Sequence, residues 1–233
     1  MDGTKRGIRQ EMRRRRRALS AIDLTTAERA VAVHTAALDS FGAAAVVIAY
    51  VDADHEVPTG TLIAAALASG KRVYLPRLVG TTMRFAEHLH GADLRPGELG
   101  IAEPLGGEIE ASDLLSAIAL VPLLAWDESG SRVGRGGGHY DRAVAGSTRP
   151  RCLVGLGYTF QQCVVLPRDP WDLRLDWVVT ERGAVRCWRG DDPSPFRKED
   201  EQHHDDLSRD GAGRRRAGGR AGLAGGLRPA PAS

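Results

Sequence analysis

The strongest constraint on this chain is a set of short runs that are apolar at odd and even positions alike. Residues 44–51 read AAVVIAYV, 117–121 read AIALV, 151–157 read RCLVGLG, and 177–180 read WVVT. Side chains of a strand alternate between its two faces, so a run apolar at both parities needs cover on both sides. The segments between these runs carry helical spacing, and strands alternating with helices argue for an α/β fold with a mainly parallel sheet in layers.

Residues 1–20 read as a first helix, with Ile8, Met12 and Leu19 at helical spacing. Lys5 and Arg9 lie four apart, so they share a face and can grip a polyphosphate. Arg13 to Arg17 form a charge run, of which Arg14 to Arg17 are read as a solvated basic face. The competing reading, a nucleic-acid contact, lacks a recognisable binding module, and aromatic residues are only 5% of the chain. Thr25-x-x-Glu28 reads as a capping box. The helix it opens turns Ala30, Val31, His34, Ala37 and Leu38 inward and stops near Gly42. The loop 52–61 follows the first strand, where α/β proteins bind ligands, and Glu56 stands out in it. A helix at 62–69 is stopped by Gly70, and a strand at 71–76 is ended by Pro76. Residues 83–89 form a candidate antiparallel strand.

Residues 121–144 read VPLLAWDESGSRVGRGGGHYDRAV. The pattern is strand, loop, then a short helix over 140–145. Gly134, Gly136, Gly137 and Gly138 let a ligand approach the backbone closely, and their amides can converge on an anion. Arg132 and Arg135 suit phosphate oxygens. Asp141 is a candidate magnesium ligand, because that ion takes one or two carboxylates and leaves its other positions to phosphate and water. Neither the Walker nor the dinucleotide glycine pattern fits. Asp172 either joins Asp141 at a metal or is a turn residue after Pro170. Residues 184–188 read as a partner for the last strand.

Net charge is +2, so any basic patch is local. Three cysteines without C-x-x-C spacing fit a reducing compartment. No apolar run reaches the roughly 20 residues of a membrane span, and the N-terminus is charged where a secretory signal is apolar. These features predict a cytoplasmic, monomeric protein with a catalytic domain over 1–189. Residues 190–233 are too polar to offset their ordering entropy, and a disordered tail is expected there.

Together the motifs resemble the 5-formyltetrahydrofolate cyclo-ligase family, also called methenyltetrahydrofolate synthetase. The carriers are Lys5-x-x-x-Arg9, Glu56 with Thr59, the segment 71–77, and Gly100-Ile101-x-Glu103-Pro104. They continue through Val121-Pro122, Asp127 and 132–141, then 155–160, Leu166-Pro167, Asp172, Asp176 and 179–181. The resemblance implies a three-layer α/β/α sandwich. It implies ATP-driven, magnesium-dependent closure of 5-formyltetrahydrofolate to 5,10-methenyltetrahydrofolate, through phosphorylation of the formyl oxygen. Lys5, Arg9, Arg132, Gly134, Arg135, Gly136, Gly137, Gly138, His139 and Tyr140 are then expected at ATP, with Arg132, Arg135 and Tyr140 catalytic. Val51 and Glu56 are expected at the folate, and Asp141 and Asp172 at magnesium. The chain departs from the family pattern at His139, where tyrosine is frequent, and at Gly137, where some members have lysine. It departs again at Trp171, where histidine usually precedes the aspartate, and at Pro58, where aspartate is common. These departures motivate an alternative: a catalytically weakened relative that binds reduced folate.

Overall fold

The runs apolar at both parities become the centre of one seven-stranded sheet. A computed structural model describes residues 4–97, 100–144 and 149–188; the expected tail, 190–233, and its boundary lie outside them. Six α-helices are described: α1 (Lys5–Arg17), α2 (Ala21–Ala36), α3 (Asp39–Ala43), α4 (Gly60–Ala68), α5 (Ala111–Ser116) and α6 (His139–Ala143). The strands are β1 (Val46–Ile48), β2 (Arg72–Val79), β3 (Thr82–His88), β4 (Arg95–Pro96), β5 (Ala102–Glu103), β6 (Ile118–Pro122), β7 (Ala125–Trp126), β8 (Arg132–Val133), β9 (Cys152–Leu156), β10 (Trp177–Thr180) and β11 (Gly183–Arg186). The main sheet runs β11-β10-β9-β6-β1-β2-β3. Its inner pairings are parallel, and an antiparallel strand closes each edge.

Burial on both faces follows the alternation of side chains. Val47 and Ala49 join Ala27 and Val31 of α2, Phe41 of α3, and Leu62 and Ala66 of α4 in one core. Val46 and Ile48 join Leu114 of α5, and Val144 just past α6, in the core on the opposite face. Two helical layers on one mainly parallel sheet give the three-layer α/β/α arrangement. Each buried valine, leucine or isoleucine contributes about 1.5–3 kcal/mol, so the central strands carry much of the stability. A third core holds α1 against the β7–β8 hairpin through Ile8, Met12, Leu124, Ala125 and Val133.

Several local expectations need correction. Thr25 lies inside α2: the capping box is Ser20 with Asp23, each side chain bonding the other's backbone. Thr25 Oγ1 instead donates to Ala21 O, and Glu28 accepts from Thr61. The buried face of α2 is Ala27, Val31 and Thr35, while Ala37 is exposed. Pro76 does not end β2. Beyond Tyr74 that strand has left β1 and keeps only β3 as neighbour, so an absent N–H on the open side costs nothing.

The basic run is only in part a solvated face: Arg14 and Arg17 are exposed, but Arg15 is half-buried and Arg16 is not solvated at all. Arg16 is wholly buried and donates to Asp54 Oδ2 at 2.8 Å. The Arg15 guanidinium lies 4.6 Å above the Phe160 ring, Arg17 bonds Asp54, and Arg14 bonds Glu11. These arginines are spent on the protein itself. Cys152, Cys163 and Cys187 form no disulfide with one another. No helix among the described residues is long and apolar enough to cross a membrane.

Candidate functional site

The carboxyl ends of parallel strands form the ligand side of an α/β sheet, and here they open into a cavity of about 530 Å³. Helix α1, the loop after β1, the glycine turn after β8 and the segment before β10 converge on it. Every residue that the sequence nominated lies on its wall: Lys5, Arg9, Val51, Glu56, Arg132, Gly134 to Tyr140, Asp141 and Asp172.

One half of the wall is charged. Lys5 Nζ donates at 2.6 Å to both Asp169 Oδ2 and Asp172 Oδ2. Burial works against the Lys5 ammonium, but the two carboxylates outweigh it and hold its pKa above the ordinary value. Burial likewise pushes the Asp172 carboxyl up, but Lys5 and the Asp169 N–H bring it below the usual range. Arg132 donates to Asp141 Oδ1 at 3.0 Å, and that same oxygen accepts from Leu173 N. Arg132 Nε is buried with no partner among the described residues. Arg9 Nε holds the glycine turn through Gly134 O at 2.9 Å, and Arg13 reaches Arg135 O.

The turn needs its glycines at two places for conformational reasons. Gly136 has φ +107° and Gly138 has φ +64°, backbone that side chains resist. Gly137 is different: a Cβ there would fall 2.6 Å from His139 Cδ2. Positions 137 and 139 are thus sterically coupled, since the His139 ring folds back over the bare backbone at 137.

The other half is apolar, built from Val51, Pro76, Leu78, Met83, Ile101 and Leu123. Glu103 fastens this half, its Oε1 accepting from Leu78 N at 3.0 Å. Tyr140 carries a buried hydroxyl without a partner among the described residues, and burial lifts its pKa far above the tyrosine norm. Between the halves sits Glu56, 5% exposed. Arg135 Nε donates to its Oε1 at 2.9 Å, and Arg16 Nη1 lies 3.7 Å away. Its loop is held in unusual backbone, Asp54 and His55 both at positive φ. Arg16 and Arg17 clamp Asp54 there, and Tyr158 Oη donates to His55 O.

Sequence reasoning missed Arg16, Asp169 and the cavity position of Glu103. Arg16 had a signal, because it continues the buried stripe of Ile8 and Met12 at intervals of four. Glu103, in β5, had a signal only as part of the Glu-Pro element of the family resemblance, and Asp169 had none beyond its place in a loop. Among the described residues no cluster of three His, Cys, Asp or Glu forms a ready metal cage.

Comparison with known proteins gives this wall a family. The sequence model of the 5-formyltetrahydrofolate cyclo-ligase family matches residues 1–181. The Haemophilus influenzae 5-formyltetrahydrofolate cyclo-ligase is 33% identical over 176 residues, covering 72% of this chain and 92% of the relative. The Escherichia coli K12 enzyme of the same name is 34% identical over 145 residues, covering 58% and 76%. The NMR structure of Aquifex aeolicus 5,10-methenyltetrahydrofolate synthetase superposes with a TM-score of 0.70 at 29% identity, covering 84% of this chain and 98% of that one. A family-model match over residues 1–181, with the nominated site residues gathered on one cavity, makes this chain a member of the 5-formyltetrahydrofolate cyclo-ligase family.

Proposed function

We propose that this protein closes 5-formyltetrahydrofolate to 5,10-methenyltetrahydrofolate with consumption of ATP, as a monomeric, magnesium-dependent enzyme of the cytoplasm. The observation that carries the reading is the two-part cavity, with Lys5, Arg9, Arg132 and the glycine turn beside an apolar recess that ends at Glu56. A formamide oxygen is a poor leaving group, and the N10 amine of the folate is a weak nucleophile. In the proposed sequence the formyl oxygen attacks the γ-phosphorus, the β–γ bridging P–O bond breaks, and ADP leaves. N10 then attacks the formyl carbon, the carbon–oxygen bond breaks, phosphate leaves, and the N10 proton is lost.

Phosphoryl transfer asks the protein mostly for positioning and neutralisation of charge. Arg132 suits this role because its Nε is buried, unpartnered among the described residues, and always charged. Tyr140 stays a neutral hydrogen-bond donor, since burial disfavours its anion. Arg135 brings a second cation, and Lys5 and Arg9 a third and fourth. The apolar recess takes the pterin, with Val51 and Glu56 at its edge.

Asp141 and Asp172 fit magnesium. Their hydrogen bonds fall on one oxygen each, Asp141 Oδ1 and Asp172 Oδ2, so each keeps an oxygen outside the hydrogen bonding among the described residues. Hard carboxylate oxygens are the donors that this ion takes. When bound, the ion would add positive charge beside the phosphates.

The test is direct. Purified protein is mixed with 5-formyltetrahydrofolate, ATP and magnesium, and methenyltetrahydrofolate is followed by absorbance. Product that depends on all three components is expected. Folate binding by calorimetry without product at saturating ATP would replace this reading with that of a folate-binding relative.

A further inference from the structure

Trp171 is the one large aromatic of this cavity wall that stands in solvent, at 72% exposure. Trp126 is buried, and Trp177 and Trp188 are half-buried. Exposure of an indole costs apolar hydration, so its setting matters. It sits third in a four-residue turn, Asp169-Pro170-Trp171-Asp172. Asp172 N donates to Asp169 O at 3.1 Å, closing the turn, and Asp169 N donates to Asp172 Oδ2 at 2.8 Å. Pro170 occupies the second position, where its fixed φ favours such turns. Both flanking carboxylates are tied to Lys5 Nζ. The indole is therefore held at the cavity rim by a stiff, ion-paired turn.

The turn belongs to the charged half of the wall. Lys5 ties it to α1, and Leu173, just beyond it, bonds both Arg132 and Asp141. The apolar recess of β1, β2 and β3 lies in the other half. A ligand that lays phosphates along Lys5 and Arg132 therefore has the Trp171 turn as an immediate neighbour on the same wall.

We propose that Trp171 is the stacking platform for the base of the bound nucleoside triphosphate. The proposal rests on the reading of the charged half as the ATP site. Stacking is tolerant of base identity because every base has a π-face. Affinity gained this way comes with little selectivity among bases, so GTP should lose little relative to ATP at this contact.

The experiment measures nucleotide binding without folate. ADP is titrated against intrinsic fluorescence in wild type and Trp171→Phe, and against Trp171→Ala by calorimetry, with tripolyphosphate as a probe that lacks a base. ADP should quench wild-type fluorescence, and most of that quench should vanish in Trp171→Phe, which keeps the other tryptophans. Trp171→Ala should bind ADP about tenfold more weakly, a typical loss for one stacked base. Trp171→Phe should stay within about threefold of wild type, and tripolyphosphate should bind all three proteins alike. Equal ADP affinity in wild type and Trp171→Ala would overturn the proposal. So would an equal loss of tripolyphosphate binding, which would assign the effect to the turn. A rise in KM for 5-formyltetrahydrofolate with ADP affinity unchanged would place the indole against the folate instead. Because binding is read directly, an inactive wild type that still shows the Trp171-dependent quench would sink the proposed reaction and leave this inference standing.

Discussion

The two halves of the cavity are built on different principles. Side chains of the apolar half come from strand ends and short loops, and the sheet holds them in place: Leu78 lies in β2, Met83 in β3, and Glu103 fixes Leu78 by its backbone. The charged half draws on scattered elements: Lys5 and Arg9 come from α1, Arg132 from β8 and Asp141 from α6, while loops supply Glu56, Arg135, Asp169 and Asp172. Its residues hold one another: Lys5 with Asp169 and Asp172, Arg132 with Asp141, Arg135 with Glu56. A polyanion site without its ligand faces mutual repulsion among cations, and interleaved carboxylates remove it. The lesson is that the apolar half is preformed by packing, whereas the charged half is preformed by stand-in ion pairs. Substitutions in the first should act singly, and those in the second should spread to partners.

The largest effect should follow from breaking the charged half at Asp141. Asp141→Ala removes one candidate metal ligand, leaves Arg132 without its carboxylate, and frees Leu173 N. A fall of about 100-fold or more in kcat/KM is expected, the scale for losing a ligand or a charge-stabilising group. The absorbance assay reads it, and robust turnover would remove Asp141 from the metal assignment. Next comes Arg16→Met, which keeps an unbranched apolar stem, though shorter than arginine, and deletes the charge. Asp54 and Glu56 then lose a buried partner, at a cost of about 3 kcal/mol. Thermal melting should show this as a drop of several degrees, and an unchanged Tm would contradict the role given to Arg16. A milder change tests the apolar half. Met83→Ala should raise KM for 5-formyltetrahydrofolate about fivefold, through lost apolar contact, with KM for ATP unaffected. If both KM values rise together, the halves are not separable.

Legibility in the sequence divides along the same line. The sheet was readable because runs such as 44–51 leave few alternatives to a strand covered on both faces. Lys5 and Arg9 were readable because a spacing of four puts two side chains on one helix face, and their stripe extends to Arg13, which meets the glycine turn. Arg16 was misread although Arg14 and Arg17 beside it are exposed as expected: a charge run looks solvated until the acids that neutralise one member are known, and Asp54 and Glu56 are distant in sequence. The capping box was misplaced because Thr25 and Glu28 have the right spacing one turn inside a helix already started by Ser20. Asp169 was missed because loop segments have no periodicity to fix where they meet.

The finest test concerns the contact that joins the halves. Burial raises the Glu56 carboxyl above the ordinary value, while Arg135, Arg16 and the Ala53 N–H oppose it and leave a net rise. Arg135→Ala removes the leading opposing charge, so the Glu56 pKa should climb further. A carboxyl whose folded pKa lies above its unfolded one binds its proton more tightly in the native state. Its contribution to stability is therefore full below the unfolded pKa and is lost as pH rises through the folded pKa. The variant should lose more of it than wild type near neutrality and recover more on acidification. Arg135 is partly exposed, so the whole effect should stay below about 1 kcal/mol. Melting temperatures of the two proteins, compared from about pH 7 down to about pH 5, should draw together by a degree or two. Other carboxylates titrate alike in both proteins and cancel in the difference. A gap that stays constant or widens toward acid would mean that Arg135 does not govern the Glu56 charge, and the link between the two halves would then have to run through Arg16 alone.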